Sequence, residues 1–367
     1  MKHIAVFATA LRNSGGVTIF NQFIRHLKEN VGDDRYLIFK SEITEAIPIK
    51  GVEYVTVDTS SRRYRLYFDF WGCKKFLKKY DFQPDLVLSL QNFGVYALRK
   101  APQYVYYHSP LAIFPQKWNF FKKSERYLFL HKYIYPLIFQ LSITKDTKFF
   151  VQTDFIKRGL VRRFKIDESR VFVEFPDMEK IDSAAITPFP KEKDEIWFVY
   201  PATPLVYKKH ITIVELLKLI KSRNPEIISA IKVHWTLGRG MMPDVETAIA
   251  KWGLQDNFVF HGVVSHEELL RIYKSSDGLL FPSVIETLGL PLLEAASFGL
   301  PVVVSKLGYS EAVIGKYQGV SFVEEGNLES WYKATMNIID NRPRFENFDA
   351  AGDRSSWEDV ISIISAG

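Results

Sequence analysis

The stretch Gly278-Leu-Leu-Phe-Pro-Ser-Val-Ile-Glu286-Thr-Leu-Gly-Leu-Pro291-Leu-Leu-Glu294-Ala-Ala-Ser-Phe-Gly299-Leu-Pro301-Val-Val-Val-Ser305 resolves by local rules into strand, loop, helix and strand. Leu279, Leu280 and Phe281 form a short apolar run that Pro282 stops, as in a buried parallel strand. Pro291 suits a first helical position, where its missing N–H costs nothing. Gly299 stands where a left-handed C-terminal cap belongs, and Pro301 forbids continuation. Val302 to Val304 is the next buried strand, which completes a β-α-β unit.

The chemistry of the stretch lies in Glu286, in the loop beyond a strand's carboxyl end, and Glu294, which this reading puts in the first helical turn. In an open α/β sheet the ligand crevice lies outside the strand carboxyl ends. The amides of Thr287, Leu288, Gly289 and Leu290, with the helix amino end, make an anion site there, suited to a diphosphate. A carboxylate beside such a site has a use if it accepts from sugar or ribose hydroxyls. Taken alone, Glu294 would only complement the helix dipole and Glu286 would be a solvated loop acid.

The whole string Pro-Ser-x-x-Glu-x-x-Gly-Leu-Pro-x-x-Glu-Ala-x-x-x-Gly-x-Pro-Val-Val, residues 282 to 303, resembles the Glu-x7-Glu signature of retaining glycosyltransferases of family 4. The resemblance implies the GT-B fold: two Rossmann-like α/β domains whose parallel sheets face a deep interdomain cleft. It extends from Trp197 to about Ile339 and covers the first half of the chain only by pattern.

Composition sets wider bounds. At 367 residues the chain exceeds the size at which one core usually stops growing, so two domains are expected. A charged fraction of 25% and a hydrophobic fraction of 47% are those of a soluble globular protein. The single cysteine, Cys73, excludes an intramolecular disulfide, and no Cys/His cluster has zinc-ligand spacing. The amino terminus enters a strand directly, without a signal-peptide layout, and no run of apolar residues is long enough to span a bilayer. A cytoplasmic location follows as the expectation. The net charge of +6 is mild, and without a basic stripe nucleic acid is not an expected partner. Clusters such as Trp118 to Lys123 and Tyr64 to Phe68 mix bases with aromatic rings, which suits peripheral contact with an anionic membrane surface.

In chain order, strand signals at residues 3–9, 36–40, 52–57, 84–90, 103–108, 149–153 and 171–176 alternate with helical segments, including a long aromatic one from Tyr64 to Tyr80. Ser14-Gly15-Gly16 lies between the first strand and a helix from about Val17, and departs from the Gly-x-Gly-x-x-Gly dinucleotide fingerprint. The predicted division is residues 1–178 as an acceptor domain, 179–194 as a Pro-rich linker, 195–350 as a donor domain, and 351–367 as a terminal helix. That helix, capped by Ser355 and Ser356 and anchored by Trp357, is expected to cross back to the first domain, as in GT-B proteins.

The resemblance then assigns roles. Gly15 and Gly16 lie near the donor phosphates, and His108, at the carboxyl edge of its strand, lies near the transferred sugar. Lys208 and Lys209 precede a helix where ammonium groups neutralise a diphosphate leaving group. The family's Gly-Arg-Leu ahead of this lysine is absent, with Thr203 where the arginine would stand; Lys209 or Arg239 is the candidate substitute. Glu286 serves the sugar hydroxyls and Glu294 the ribose. The implied reaction moves a sugar from a nucleotide-diphosphate donor to a glycan or polyprenyl-linked acceptor. It proceeds with retention and with no cofactor or metal, as in bacterial surface polysaccharide synthesis. The alternatives are a catalytically inactive GT-B subunit and a nucleotide-sugar 2-epimerase of the same fold.

Overall fold

Thirteen strands, all parallel, form two sheets in the computed structural model, which describes residues 1–11, 14–177, 181–349 and 357–366. The serine caps at 355 and 356 and the first linker residues lie outside these. The chain divides into two units, residues 1–178 with 353–367, and residues 179–352.

The first unit contains β1 (His3–Ala8), β2 (Arg35–Lys40), β3 (Val52–Thr56), β4 (Leu86–Ser89), β5 (Gln103–Tyr107), β6 (Lys148–Val151) and β7 (Val171–Val173), in the order β3-β2-β1-β4-β5-β6-β7. These strands are nearly continuous apolar runs because helices cover both faces of the sheet. One face, with Ile4, Val6, Leu88, Tyr104 and Tyr106, packs on helix Ser14–Asn30 and on the terminal helix Trp357–Ala366. The opposite face carries Ala5, Phe7 and Val87 under the helical segment 62–79, and Val105, Tyr107 and Phe149 under helix Tyr135–Ser142.

Two local expectations change. The helix after β1 begins at Ser14, so Gly15 and Gly16 form its first turn rather than a preceding loop. The aromatic helix is not uniform: helix Arg62–Tyr67 passes through a π-helical turn, Phe68–Gly72, into helix Cys73–Lys79. Apolar periodicity cannot reveal an inserted residue, because the register on either side is still helical.

The second unit contains β8 (Ile196–Tyr200), β9 (Ile231–Trp235), β10 (Phe258–Phe260), β11 (Gly278–Phe281), β12 (Val302–Ser305) and β13 (Val320–Val323), in the order β10-β9-β8-β11-β12-β13. Helix Leu290–Ser297 joins β11 to β12. Gly299 ends that connection at φ +66°, and a Cβ there would lie 2.2 Å from the Phe345 carbonyl, so both conformation and space demand glycine.

Both sheets share one topological feature. From the central strand (β1 or β8) the chain first builds outward to one side, then returns to lay the next strand (β4 or β11) on the other. The loops leaving β1 and β4, and those leaving β8 and β11, therefore diverge and open a crevice at the carboxyl edge of each sheet.

Trp357 ties the terminal helix to the first unit. It is 1% exposed, stacks on Tyr106 at 4.9 Å, and donates from Nε1 to Gln22 Oε1 at 3.1 Å. Trp357→Ala should destabilise this unit by about 3–5 kcal/mol, as expected for emptying a buried tryptophan site. Trp357→Phe should recover part of the loss in urea unfolding, and equal stability of wild type and Trp357→Ala would refute the anchoring role.

Candidate functional site

In the second unit the crevice is built by two loops that are zipped together. Tyr200, the last residue of β8, is fully buried and donates its hydroxyl to the Lys208 carbonyl at 2.6 Å. The Val284 amide, beyond β11, donates to the Tyr207 carbonyl at 2.9 Å. Tyr309 donates its hydroxyl to the Ser283 carbonyl at 2.6 Å. Neither loop can shift without breaking a buried hydrogen bond.

These constraints bring Lys208 Nζ to 2.5 Å from Glu286 Oε1, with the side chains only 15% and 13% exposed. Sequence separation between the two is large, but β8 and β11 are neighbours, so their loops meet. Burial, with the negative charge of Glu286 added to it, raises the Tyr200 and Tyr309 hydroxyls well above their ordinary value. Both phenols remain protonated donors, as their bonds to carbonyls require.

Helix Leu290–Ser297 starts from Gly289, which holds φ +71° as its N-cap. Leu288, Gly289 and Leu290 thus surround a helix amino end beside Glu286, where amides and dipole favour an anion. Thr287 lies between this end and Glu286. Glu294 is not in the first turn: counted from Leu290 it falls in the second, facing helix His266–Ser275, where Tyr273 donates its hydroxyl to Oε2 at 2.9 Å. Burial raises the Glu294 carboxyl, and the Tyr273 bond and nearby His266 offset this in part. A role as a simple dipole complement is therefore excluded.

The other cations stand apart from this pair. Lys209, in the left-handed region at φ +53°, meets Glu325 at 3.5 Å in a largely exposed pair of the kind that contributes little. Arg239 lies beyond β9 with its guanidinium 4.8 Å from the Phe260 ring centroid. The Gly238–Gly240 turn is no open phosphate loop, since the Gly240 amide donates to Glu246 Oε1 at 2.7 Å and so caps the following helix. Thr203 is exposed in the loop after β8, and its carbonyl accepts from Leu205.

In the first unit, the corresponding crevice is held by a buried polar chain. Gln91, beyond β4, accepts at Oε1 from the Thr9 hydroxyl (3.0 Å) and the Ala10 amide (3.3 Å), and donates from Nε2 to Asp69 (3.0 Å). Asp69 comes from the π-helical turn, and burial pushes its carboxyl up to about 7. Next to it, Asn92 accepts from the His108 amide at 2.6 Å, and His108 Nε2 lies 3.2 Å from the Leu90 carbonyl. Burial holds the His108 imidazole down at about 4, so at neutral pH it is an uncharged ring at the strand edge. A Cβ on Gly15 would meet nothing within 4 Å, so internal packing does not explain this glycine.

Sequence reasoning missed the tyrosine hydroxyls and the Gln91 chain. A tyrosine ending an apolar strand carries no sign of which carbonyl its hydroxyl will meet. Asn92, at φ +71° after a strand, is a turn residue that local rules can recognise.

Taken with the site, the fold defines the class: two Rossmann-like parallel α/β units, the GT-B architecture. Solved structures agree over the whole chain. WaaG, a glycosyltransferase involved in lipopolysaccharide biosynthesis, aligns with 99% of this chain and 100% of its own (TM-score 0.73, 16% identity). Anabaena Alr3699/HepE, solved with UDP and glucose, aligns with 100% of this chain and 99% of its own (TM-score 0.65, 12% identity).

More particularly, residues 183–355, which include the Lys208–Glu286 pair, match the family model of glycosyl transferases group 1. Among curated relatives, the O-antigen chain mannosyltransferase RfbU of Salmonella typhimurium is 22% identical over 237 residues, 64% of this chain. The aligned part spans 63% of that relative's length.

Two outcomes test this geometry. Lys208→Ala and Glu286→Ala should each destabilise the second unit, while a double-mutant cycle returns a coupling of about 0.5–3 kcal/mol; strict additivity would mean that the two do not interact. Separately, His108 at about 4 and His210 at about 3, both below the ordinary 6.5, are lowered by burial, with Lys208 adding to the shift at His210. At these two sites the unfolded chain then binds more protons than the folded one below the ordinary value, so their contribution to stability should fall as pH drops from about 6.5 towards 4, while Asp69, raised to about 7, contributes in the opposite sense over that range. His210→Phe should flatten that slope in denaturant titrations.

Proposed function

We propose that the protein is a glycosyltransferase that moves a sugar from a nucleotide-diphosphate donor to a glycan or lipid-linked acceptor, with retention at the anomeric carbon. The observation that carries this reading is the Lys208–Glu286 pair at the switch point, next to a helix amino end and inside the segment that matches glycosyl transferases group 1. Breaking the sugar–phosphate bond leaves negative charge on a diphosphate and positive character on the sugar ring. Lys208 and the first amides of helix Leu290–Ser297 stabilise the first of these charges. Glu286 accepts from sugar hydroxyls beside the anomeric centre, and Glu294, held by Tyr273, accepts from the ribose. His108, neutral and with Nε2 engaged by Leu90, contributes hydrogen bonding rather than charge. In this reading a lysine and helix amides neutralise the leaving group, and catalysis proceeds without a divalent metal.

The match to an O-antigen mannosyltransferase and the likeness to a lipopolysaccharide enzyme support surface polysaccharide synthesis as the setting. Nucleotide-sugar donors and lipid-linked acceptors would be met at the cytoplasmic side of a membrane, which supports that location as part of the reading.

Thermal stability should rise selectively with one of UDP, GDP, ADP, CMP or dTDP, because a ligand that binds only the folded state stabilises it by mass action. The rise should be the same with EDTA or magnesium. Glu286→Gln should lower turnover by about 10²–10³ while leaving nucleotide affinity nearly intact, as for loss of one transition-state contact, whereas Lys208→Ala should weaken nucleotide-diphosphate binding. Silence across the panel would refute donor binding. Binding with no transfer to any acceptor would leave the inactive subunit as the better description.

A further inference from the structure

Helix Tyr135–Ser142 carries apolar side chains on two opposite sides. Toward the first sheet, Pro136 and Phe139 are buried, and the Phe139 ring meets those of Tyr107 and Phe149. On the far side Leu137 and Leu141 are each 57% exposed, and Ile134, in the turn that leads into the helix, is 43% exposed. The helix holds no charged residue. A helix that is apolar all round belongs in an interior, and here only one of its sides has one.

The exposed side follows a pattern. Leu130, Ile134, Leu137 and Leu141 succeed one another at spacings of 4, 3 and 4 residues, the seam of a helix pair. At Leu130 and Ile134 the stripe continues into a cavity of about 590 Å³, whose other walls include Trp118, Phe120 and Phe121. Charge is distributed unevenly along the segment. From Arg126 to Ser142 the Lys and Arg residues are Arg126 and Lys132, both in the first half, and there is no acid. Each is engaged within its own chain: Arg126 Nε donates to the Phe120 carbonyl at 3.2 Å, and Lys132 Nζ donates to the Phe114 carbonyl. Two such segments side by side in parallel would set base against base. Run antiparallel, each sets its basic half against the neutral half of the other. A surface that complements itself about a two-fold axis fits a second copy of the same chain.

We propose that this face is the contact of a two-fold dimer, in which segment 126–142 of one copy packs antiparallel on that of another. The seam then pairs Ile134 with Leu137 of the second copy, and Leu130 with Leu141 of the second copy, which enters the cavity beside it. The exposed parts of Phe120, Phe121, Tyr133, Ile134, Leu137 and Leu141 amount to roughly 600 Å² per copy, or about 1,200 Å² in all, which reaches the range of stable interfaces. A lipid surface would call for cations beside the stripe, whereas those of this segment are held by carbonyls of their own chain. The inference goes beyond the transferase reading and does not depend on it, because mass is read without turnover.

Sedimentation velocity of the full chain should show a species of twice the chain mass, its fraction growing with concentration. The combined Leu137→Glu, Leu141→Glu variant should raise the dimer dissociation constant by roughly a hundredfold or more, as for hot spots at the centre of an interface. Both side chains are largely exposed in the single copy, so the thermal midpoint of the dilute protein should hold and show that the variant folds. Register is tested by exchange: Ile134→Glu and Leu137→Lys should each be monomeric alone, and an equimolar mixture should recover a dimer through the new ion pair. A mixture that stays monomeric would overturn the antiparallel register. Wild type that is monomeric at every soluble concentration, or a Leu137→Glu, Leu141→Glu variant that dimerises like wild type, would overturn the dimer itself. So would a monomeric wild type that binds lipid vesicles and loses that binding in the same variant, which would make this face a lipid contact.

Discussion

The bond between the Tyr200 hydroxyl and the Lys208 carbonyl is the constraint on which the second unit's site depends. It ties the end of a buried central strand to the loop that carries the site's lysine. With the Val284–Tyr207 bond it brings that loop against the one carrying Glu286. A lysine and a glutamate so confined surrender much of their hydration and side-chain freedom. Such an arrangement is a poor way to gain stability and a good way to hold opposite charges at fixed positions beside a helix amino end. On the proposed reading, an incoming diphosphate would compete for Lys208 with Glu286, and the carboxylate so released would accept from hydroxyls.

The first unit solves the same geometric problem with a buried polar chain in place of an ion pair. Its switch point is braced by Gln91, whose amide links the end of β1 to the π-helical turn through Thr9, Ala10 and Asp69. The π-helical turn thus has a structural use: it turns Asp69 inward to meet Gln91 while Tyr67 and Trp71 remain outside. One local irregularity arranges both the polar chain beneath and the aromatic strip above.

Much of the architecture was legible in the sequence. The apolar runs ending in Phe281 and Val304, Pro291 and Gly299 mark strand, helix start and helix stop because each obeys a short-range steric rule. The same rules placed Glu286 beyond a strand carboxyl end, and Lys208 was read just ahead of a helix. Helix boundaries were less legible. The entry at Ser14 and the shift of Glu294 to the second turn each depend on one or two residues at a helix end, where propensity is nearly flat. The π-helical turn escaped because apolar spacing on either side of it is unchanged.

The sequence by itself determined the order of strands and helices along the chain and which residue types stand at the strand ends. These follow from backbone sterics and apolar periodicity, which act over a few residues. Only the tertiary structure decided that Lys208 faces Glu286 while Lys209 turns to Glu325. It alone showed that Glu294 belongs to Tyr273, and that the acid of a basic helix is hidden while its aromatic rings are not. Those outcomes depend on which side chains share a buried volume once sheets have formed, and no local rule carries that information.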